Sequence, residues 1–81
     1  MNMLSDIIND TRERTITTAF NAAVAELKSL IEKNPFQTTF NITAGCVSEE
    51  MTEEISRRFN LDIHVKSIVK TKNCIIINSP L

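Results

Sequence analysis

The sequence of 81 residues has no tryptophan or tyrosine, one glycine, one histidine and two cysteines. Only four phenylalanines are present, so the core must be built mainly from isoleucine, leucine, valine and alanine. Apolar residues make up 42% of the chain and charged residues 23%, which excludes the disordered class. We expect one domain, residues 1–81, that buries about 60 to 65% of its unfolded surface and gains stability from association.

No apolar run reaches the length of about 18 residues that a membrane-spanning helix requires. The first residues also lack the basic region and apolar core of a signal peptide. We therefore expect no membrane association and a cytoplasmic location. The net charge of -1 indicates no class of partner. In such a domain the two cysteines, Cys46 and Cys74, are expected to be free thiols.

The scarcity of histidine and cysteine argues against the usual catalytic and metal sites. His64, Cys46 and Cys74 lack the paired spacing of zinc ligands, and no fourth ligand is evident. A position just before a helix can make a thiol reactive, but Glu49 and Glu50 lie in the same turn as Cys46 and oppose the thiolate. We expect no catalytic residue, no metal, no cofactor and no enzymatic activity.

Two features could in principle bind anions. The turn over residues 45–48 opens a helix after a strand, but it lacks the repeated glycines and the lysine of a phosphate-binding turn. Lys66, Lys70 and Lys72 form a basic cluster without the stacking aromatics or wider basic surface of nucleic-acid-binding proteins. These absences argue against nucleic acid, and a small nucleotide or nucleic-acid binding module is kept as an alternative function.

Apolar residues spaced by three or four predict a helix over residues 3–33. Residues 9–15 contain no apolar residue, and two interpretations are open there. Asp10 followed by Glu13 resembles a capping box, which starts a new helix at Asp10. Alternatively, one helix of about 30 residues runs through and reaches about 45 Å, which exceeds a domain of this size.

An apolar cluster of Leu4, Ile7 and Ile8 precedes this polar stretch. In either interpretation the cluster lies too far along the chain to enter the core that Leu27 helps to form. We therefore expect residues 1–9 to project from the domain or to contact a partner. The three side chains are predicted to meet another chain, and the protein is predicted to be a homo-oligomer.

Alternating apolar and polar residues predict a strand over residues 36–44, with Phe36 among the side chains on its apolar face. The same period returns over residues 61–66. A basic turn at residues 70–73 then leads to a last strand at residues 74–78. This last strand begins with four apolar residues, three of them β-branched, and is expected to be central in the sheet.

A second helix is predicted between the first two strands. Ser48 is its expected N-cap, Phe59 its last apolar residue, and Asn60 its end. Pairs four residues apart are expected on its solvent side. They are Glu53 with Arg57 and Glu54 with Arg58.

The element order is therefore helix, strand, helix, strand, strand. It predicts an α+β, two-layer domain with a three-stranded mixed sheet in the order 1-3-2 and both helices on one face. Because the helices cover one sheet face only, some apolar side chains of the central strand must remain uncovered. We predict Ile75 and Ile77 on the uncovered face, rimmed by polar residues that include His64 and Lys66, as a protein contact surface.

In layout the chain resembles the small accessory proteins of bacteriophages, which are short, compact, mixed domains without a catalytic signature. The resemblance covers general layout and no defining residue. It implies a viral, non-enzymatic binding protein that occupies a bacterial host protein or defence complex in the host cytoplasm and inhibits or redirects it. An alternative function is that of a structural component of a phage particle.

Overall fold

The computed structural model describes residues 2–62 and 67–78. They form an α+β fold with the predicted order of elements. Antiparallel pairing joins the three strands into one sheet. The elements are α1 (Met3–Lys33), β1 (Thr39–Ile42), α2 (Glu49–Asp62), β2 (Ser67–Lys70) and β3 (Ile75–Asn78).

Helix α1 is continuous, so the interpretation with one long helix is the correct one. Its N-cap is Asn2, whose side-chain oxygen accepts a hydrogen bond from the backbone N–H of Ser5 at 3.3 Å. The helix passes through Asp10 without a new start and ends at Lys33. At 1.5 Å per residue it is about 46 Å long. It therefore determines the long dimension of a molecule that measures 51 × 20 × 20 Å.

The strand order β1-β3-β2 confirms the predicted order 1-3-2. The prediction of a mixed sheet is wrong, since β3 runs antiparallel to both of its neighbours. The reason is topological. The hairpin makes β3 antiparallel to β2, and the crossover through α2 makes β2 run in the direction of β1. Because β3 lies between these two strands, no parallel pair comes into contact.

The core combines side chains from both helices, β1 and β3. Phe40 of β1 lies opposite Ile77 of β3, and Ile42 lies opposite Ile75, so these four share one face of the sheet. The buried hydrophobic residues are Ala23, Leu27, Phe40, Ile42, Cys46, Ile55, Phe59, Ile75 and Ile77.

The prediction that Ile75 and Ile77 lie on the uncovered face is wrong. Their exposed fractions are 0% and 1%. The register explains this, because it aligns them with the large apolar side chains of Phe40 and Ile42. Burying this face removes far more apolar surface from water than burying the other, where β1 presents the polar Thr39 and Asn41.

Helix α2 starts as predicted and ends later. The hydroxyl of Ser48 accepts a hydrogen bond from the N–H of Met51 at 3.2 Å, which confirms the N-cap. The helix continues to Asp62, so Asn60 does not end it and Leu61 is helical rather than the first residue of a strand. Residues 63–66 of that predicted strand, which include His64 and Lys66, fall outside the residues that the structure describes. Strand β1 is also shorter than predicted and leaves Phe36 in a turn, almost fully exposed.

The ion pairs of α2 differ from the predicted set. Arg57 pairs with Glu54, one residue nearer than expected. Arg58 pairs with Glu13 of α1, and Glu53 with Lys70 of β2 at 3.2 Å. Two of the three pairs thus join different elements, which local spacing along the sequence does not reveal.

Gly45 allows the connection from β1 to α2 to pass close to α1. Its φ angle is +80°, in the region that favours glycine. A Cβ atom at this position would lie 2.6 Å from the carbonyl oxygen of Ala19 and 3.0 Å from its Cβ. The absence of a side chain at residue 45 therefore allows α1 to pack closely against this connection.

We predict that Gly45→Ala lowers the free energy of unfolding by about 2 kcal/mol or more, because it adds both backbone strain and a clash with α1. Urea unfolding followed by circular dichroism measures this change. Val47→Ala, at an exposed position two residues away, is the control and is expected to change stability by less than about 0.5 kcal/mol. Equal midpoints for Gly45→Ala and the unaltered protein would contradict the close approach to Ala19.

Candidate protein-binding surfaces

The N-terminal half of α1 carries no buried side chain. Every residue from Asn2 to Thr15 is exposed. Within this stretch the N-terminal ridge consists of Met3, Leu4, Ile7 and Ile8, with exposed fractions of 75%, 65%, 54% and 41%. The structure thus brings together three residues that the sequence singled out, Leu4, Ile7 and Ile8. An apolar cluster of this size on a helix surface is typical of a protein contact.

A second feature of α1 was missed in the sequence. Six exposed residues recur at alternating spacings of four and three, which places them on one side of the helix as in a coiled-coil seam. The core residues of α1, Ala23 and Leu27, lie about 120° around the helix from this side. We call the six residues the α1 stripe. They are Leu4, Ile8, Thr11, Thr15, Thr18 and Ala22.

The C-terminal part of the α1 stripe forms the floor of a groove. This α1 groove has a volume of about 540 Å³ and runs beside the connection that contains Gly45 and Val47. Threonine and alanine side chains form its floor, Val47 and Met51 form a wall, and Arg14 also lines it. The spacing of small residues at positions 11, 15, 18 and 22 could have indicated the floor of the groove from the sequence. The wall could not be predicted, because it comes from a different part of the chain that the fold brings next to α1.

The outer face of the sheet carries a smaller apolar patch. Val69 of β2 pairs with Ile76 of β3, and Val69 is 56% exposed whereas Ile76 is half-buried. At the rim the hydroxyl of Thr39 donates a hydrogen bond to the side-chain oxygen of Asn78 at 2.9 Å. The outer sheet patch, Val69 and Ile76, thus takes the place of the predicted Ile75 and Ile77. The predicted rim residues His64 and Lys66 are not among those described.

The two cysteines, Cys46 and Cys74, are free thiols. Burial raises the pKa of the Cys46 thiol above its ordinary value, and a hydrogen bond with Thr52 lowers it by less. The Thr52 hydroxyl also lies 2.8 Å from the carbonyl oxygen of Ser48 and 3.1 Å from that of Lys72. Thr52 thereby links α2 to the β2–β3 turn. Because its pKa is raised, the Cys46 thiol stays protonated at neutral pH.

Acidic residues of α2 lie next to the lysines of the hairpin. Glu49, Glu50 and Glu53 face Lys70 and Lys72 across a shallow space of about 470 Å³. The ion pair between Glu53 and Lys70 offsets part of the basic charge, which weakens the case for a nucleic-acid surface at this turn.

Within residues 2–62 and 67–78, no three histidine, cysteine, aspartate or glutamate side chains lie close enough together to hold a metal ion. Neither α1 nor the described part of α2 has the length and apolar character of a bilayer-crossing helix. The chain matches no protein-family model, no curated protein and no solved structure.

We predict that the stability of the protein falls at alkaline pH in a way that depends on Cys46. A thiol with a raised folded-state pKa supports folding below its unfolded pKa, and this contribution is lost as the pH rises through the folded-state value. Urea unfolding of the unaltered protein and Cys46→Ala, from about pH 7 to about pH 10, measures it. The difference in free energy of unfolding between the two is expected to shrink with rising pH. Parallel pH curves would show that the thiol proton makes no contribution.

Proposed function

We propose that the chain is a non-enzymatic, oligomeric binding protein that acts by covering a surface of another protein. The observation that carries the proposal is the exposure of apolar side chains at two places, the N-terminal ridge beyond the core and Val69 of the outer sheet patch. Keeping such residues exposed costs solvation free energy, of the order of 1 kcal/mol for each half-exposed side chain. Contact with another protein recovers this free energy.

The proposal includes a two-layer arrangement in which both helices cover one face of the sheet. The core supports it, because Leu27 of α1 and Ile55 of α2 are buried together with Phe40, Ile75 and Ile77 on a single sheet face. The opposite face then has no helix to cover it. The outer sheet patch on this face is the surface that we assign to the partner protein.

The composition of the outer sheet patch suits a protein partner. Val69 and Ile76 form an apolar centre. Asn41 lies beside Ile76, and a row of polar side chains, Thr39, Asn78 and Ser67, borders the pair at one end. An apolar centre within a polar rim is the usual arrangement of a protein–protein interface. The patch is small, so we expect a contact of modest affinity whose strength increases when several copies bind together.

The resemblance in layout to phage accessory proteins suggests the class of partner to test first. We propose a bacterial host protein or defence complex, encountered in the host cytoplasm and inhibited or redirected by occupation of its surface. Occupation of a surface requires apolar contact area and no catalytic residue. The N-terminal ridge and the outer sheet patch both offer such area.

The expected result is that the protein retains a stoichiometric partner from bacterial lysate and that Val69→Lys abolishes the retention. A lysine at this position places a charge in the centre of the contact, where its desolvation is not compensated. Affinity capture with quantitative mass spectrometry measures the ratio of partner to bait. The partner is then purified and titrated with both proteins, and Val69→Lys is expected to weaken binding at least about tenfold.

Asn60→Lys is the matched control, since it adds the same charge at an exposed position of α2 outside the patch. It is expected to retain the partner. If the unaltered protein retains none, the proposed function is wrong. A partner held equally by Val69→Lys and by the unaltered protein would reject the outer sheet patch as the binding surface.

A further inference from the structure

The geometry points to a second copy of this chain as the occupant of the N-terminal ridge. Two α1 helices lie antiparallel about a two-fold axis near Thr11, and the ridge of each copy fills the α1 groove of the other. The inference rests on the proposed function in one respect, namely that the N-terminal ridge is a protein contact. It identifies the protein bound at the ridge as a second copy of the chain.

The N-terminal ridge and the α1 groove lie on the same side of one helix. Leu4 and Ile8 begin the α1 stripe, and Thr11 to Ala22 continue it with unchanged spacing. All six stripe residues are exposed in the single chain. Alternating spacings of four and three are those of helices that pack lengthwise against another helix. The stripe therefore has the geometry for a helix partner along most of its length.

The sizes of the stripe residues favour an antiparallel orientation. The two at the N-terminal end, Leu4 and Ile8, are large, whereas those at 11, 15, 18 and 22 are small. In a parallel pair, large residues meet large ones and small residues leave a gap. In an antiparallel pair, Leu4 and Ile8 of one copy lie along Thr15 and Thr18 of the other, where small side chains allow close approach.

A single two-fold axis satisfies both contacts at once. The ridge is centred near residue 6 and the groove near residue 16, so rotation about an axis near Thr11 exchanges them. Each copy then donates one ridge and accepts one, which makes the interface closed and self-complementary. The wall of the groove, Val47 and Met51, adds apolar contacts to the inserted side chains.

Charges at the edge of the groove agree with this pairing. Glu50, Glu53 and Glu54 of α2 line an adjoining space of about 530 Å³ on the side of α1 that carries Arg12. A two-fold antiparallel pair brings Arg12 of the second copy to that same side. Positive charge of each copy therefore approaches the acidic first turns of the other, so association is expected to weaken at high salt.

The area of the contact indicates a modest affinity. An antiparallel pair centred near Thr11 overlaps over about 17 residues, or about 25 Å of length, and a third of each helix surface over this length is roughly 350 Å². The total of about 700 Å² from the helices lies in the range of weak, transient interfaces. We therefore expect a dimer that dissociates at about 100 µM.

Sedimentation velocity from about 1 µM to about 1 mM tests the pairing on the full chain. The unaltered protein is expected to change from monomer to dimer, and Leu4→Glu or Ile8→Glu to raise the dissociation constant at least about tenfold. Both positions are exposed, so these variants are expected to fold normally. Ile31→Glu, at an exposed isoleucine of the same helix outside the α1 stripe, is the control and is expected to form the dimer unchanged.

Spin labels at Ser29→Cys, in a Cys74→Ser background, test the orientation by pulsed electron resonance. An antiparallel pair centred near Thr11 separates the two labels by about 50 Å, whereas a parallel pair places them within about 20 Å. A long distance that disappears in Leu4→Glu supports the inference, and a short one overturns it.

Three further outcomes overturn the pairing. The first is a protein that stays monomeric at about 1 mM. The second is a dimer that Leu4→Glu and Ile8→Glu leave intact. The third is a monomer that binds the captured partner protein through the N-terminal ridge and not through Val69. A protein that stays monomeric also removes the oligomeric part of the proposed function. Binding to a partner protein is a separate claim, and it fails only if the unaltered protein retains no partner.

Discussion

Burial of one face of a short sheet is the constraint from which the rest of the structure follows. The antiparallel register joins Phe40 to Ile77 and Ile42 to Ile75, and this surface of four large side chains is stable only under cover. Each such side chain contributes about 1.5–3 kcal/mol when it leaves water. Leu27 of α1 and Ile55 of α2 are buried in the same core as these four side chains. The exposed apolar surfaces, the N-terminal ridge and the outer sheet patch, consist of side chains that this core does not bury.

The lengths of the elements do not match, and the mismatch creates the exposed surfaces. A strand of four residues is about 13 Å long, whereas α1 is about 46 Å long. Only the second half of α1 can therefore pack on the sheet, and its first half extends beyond it. The ion pair between Glu13 and Arg58 and the hydrogen bond from Arg58 to Thr17 hold the middle of the helix against α2. The N-terminal ridge therefore lies beyond the point at which α1 is held against α2.

Much of the fold could be predicted from the sequence, because it depends on local pattern. Periodicity predicts both helices, the order of the elements predicts the strand order, and Ser48 is a predicted cap. The sheet face could not be read from β3 alone, since Ile75 and Ile76 are equally apolar; the choice depends on what β1 aligns with them. Val69 escaped notice because Ile68 beside it is also apolar. The pair of Glu53 with Lys70 depends on distances between elements, which spacing along the chain does not contain.

The contact between Gly45 and Ala19 has a consequence for how this sequence can change. The two residues meet where α1 crosses the loop before α2, and the atom nearest to a Cβ at position 45 would be the backbone carbonyl oxygen of Ala19. Because every residue type carries this carbonyl, no change of side chain at position 19 can relieve the clash. Glycine is therefore expected to be the only residue accepted at position 45, whatever residue stands at position 19.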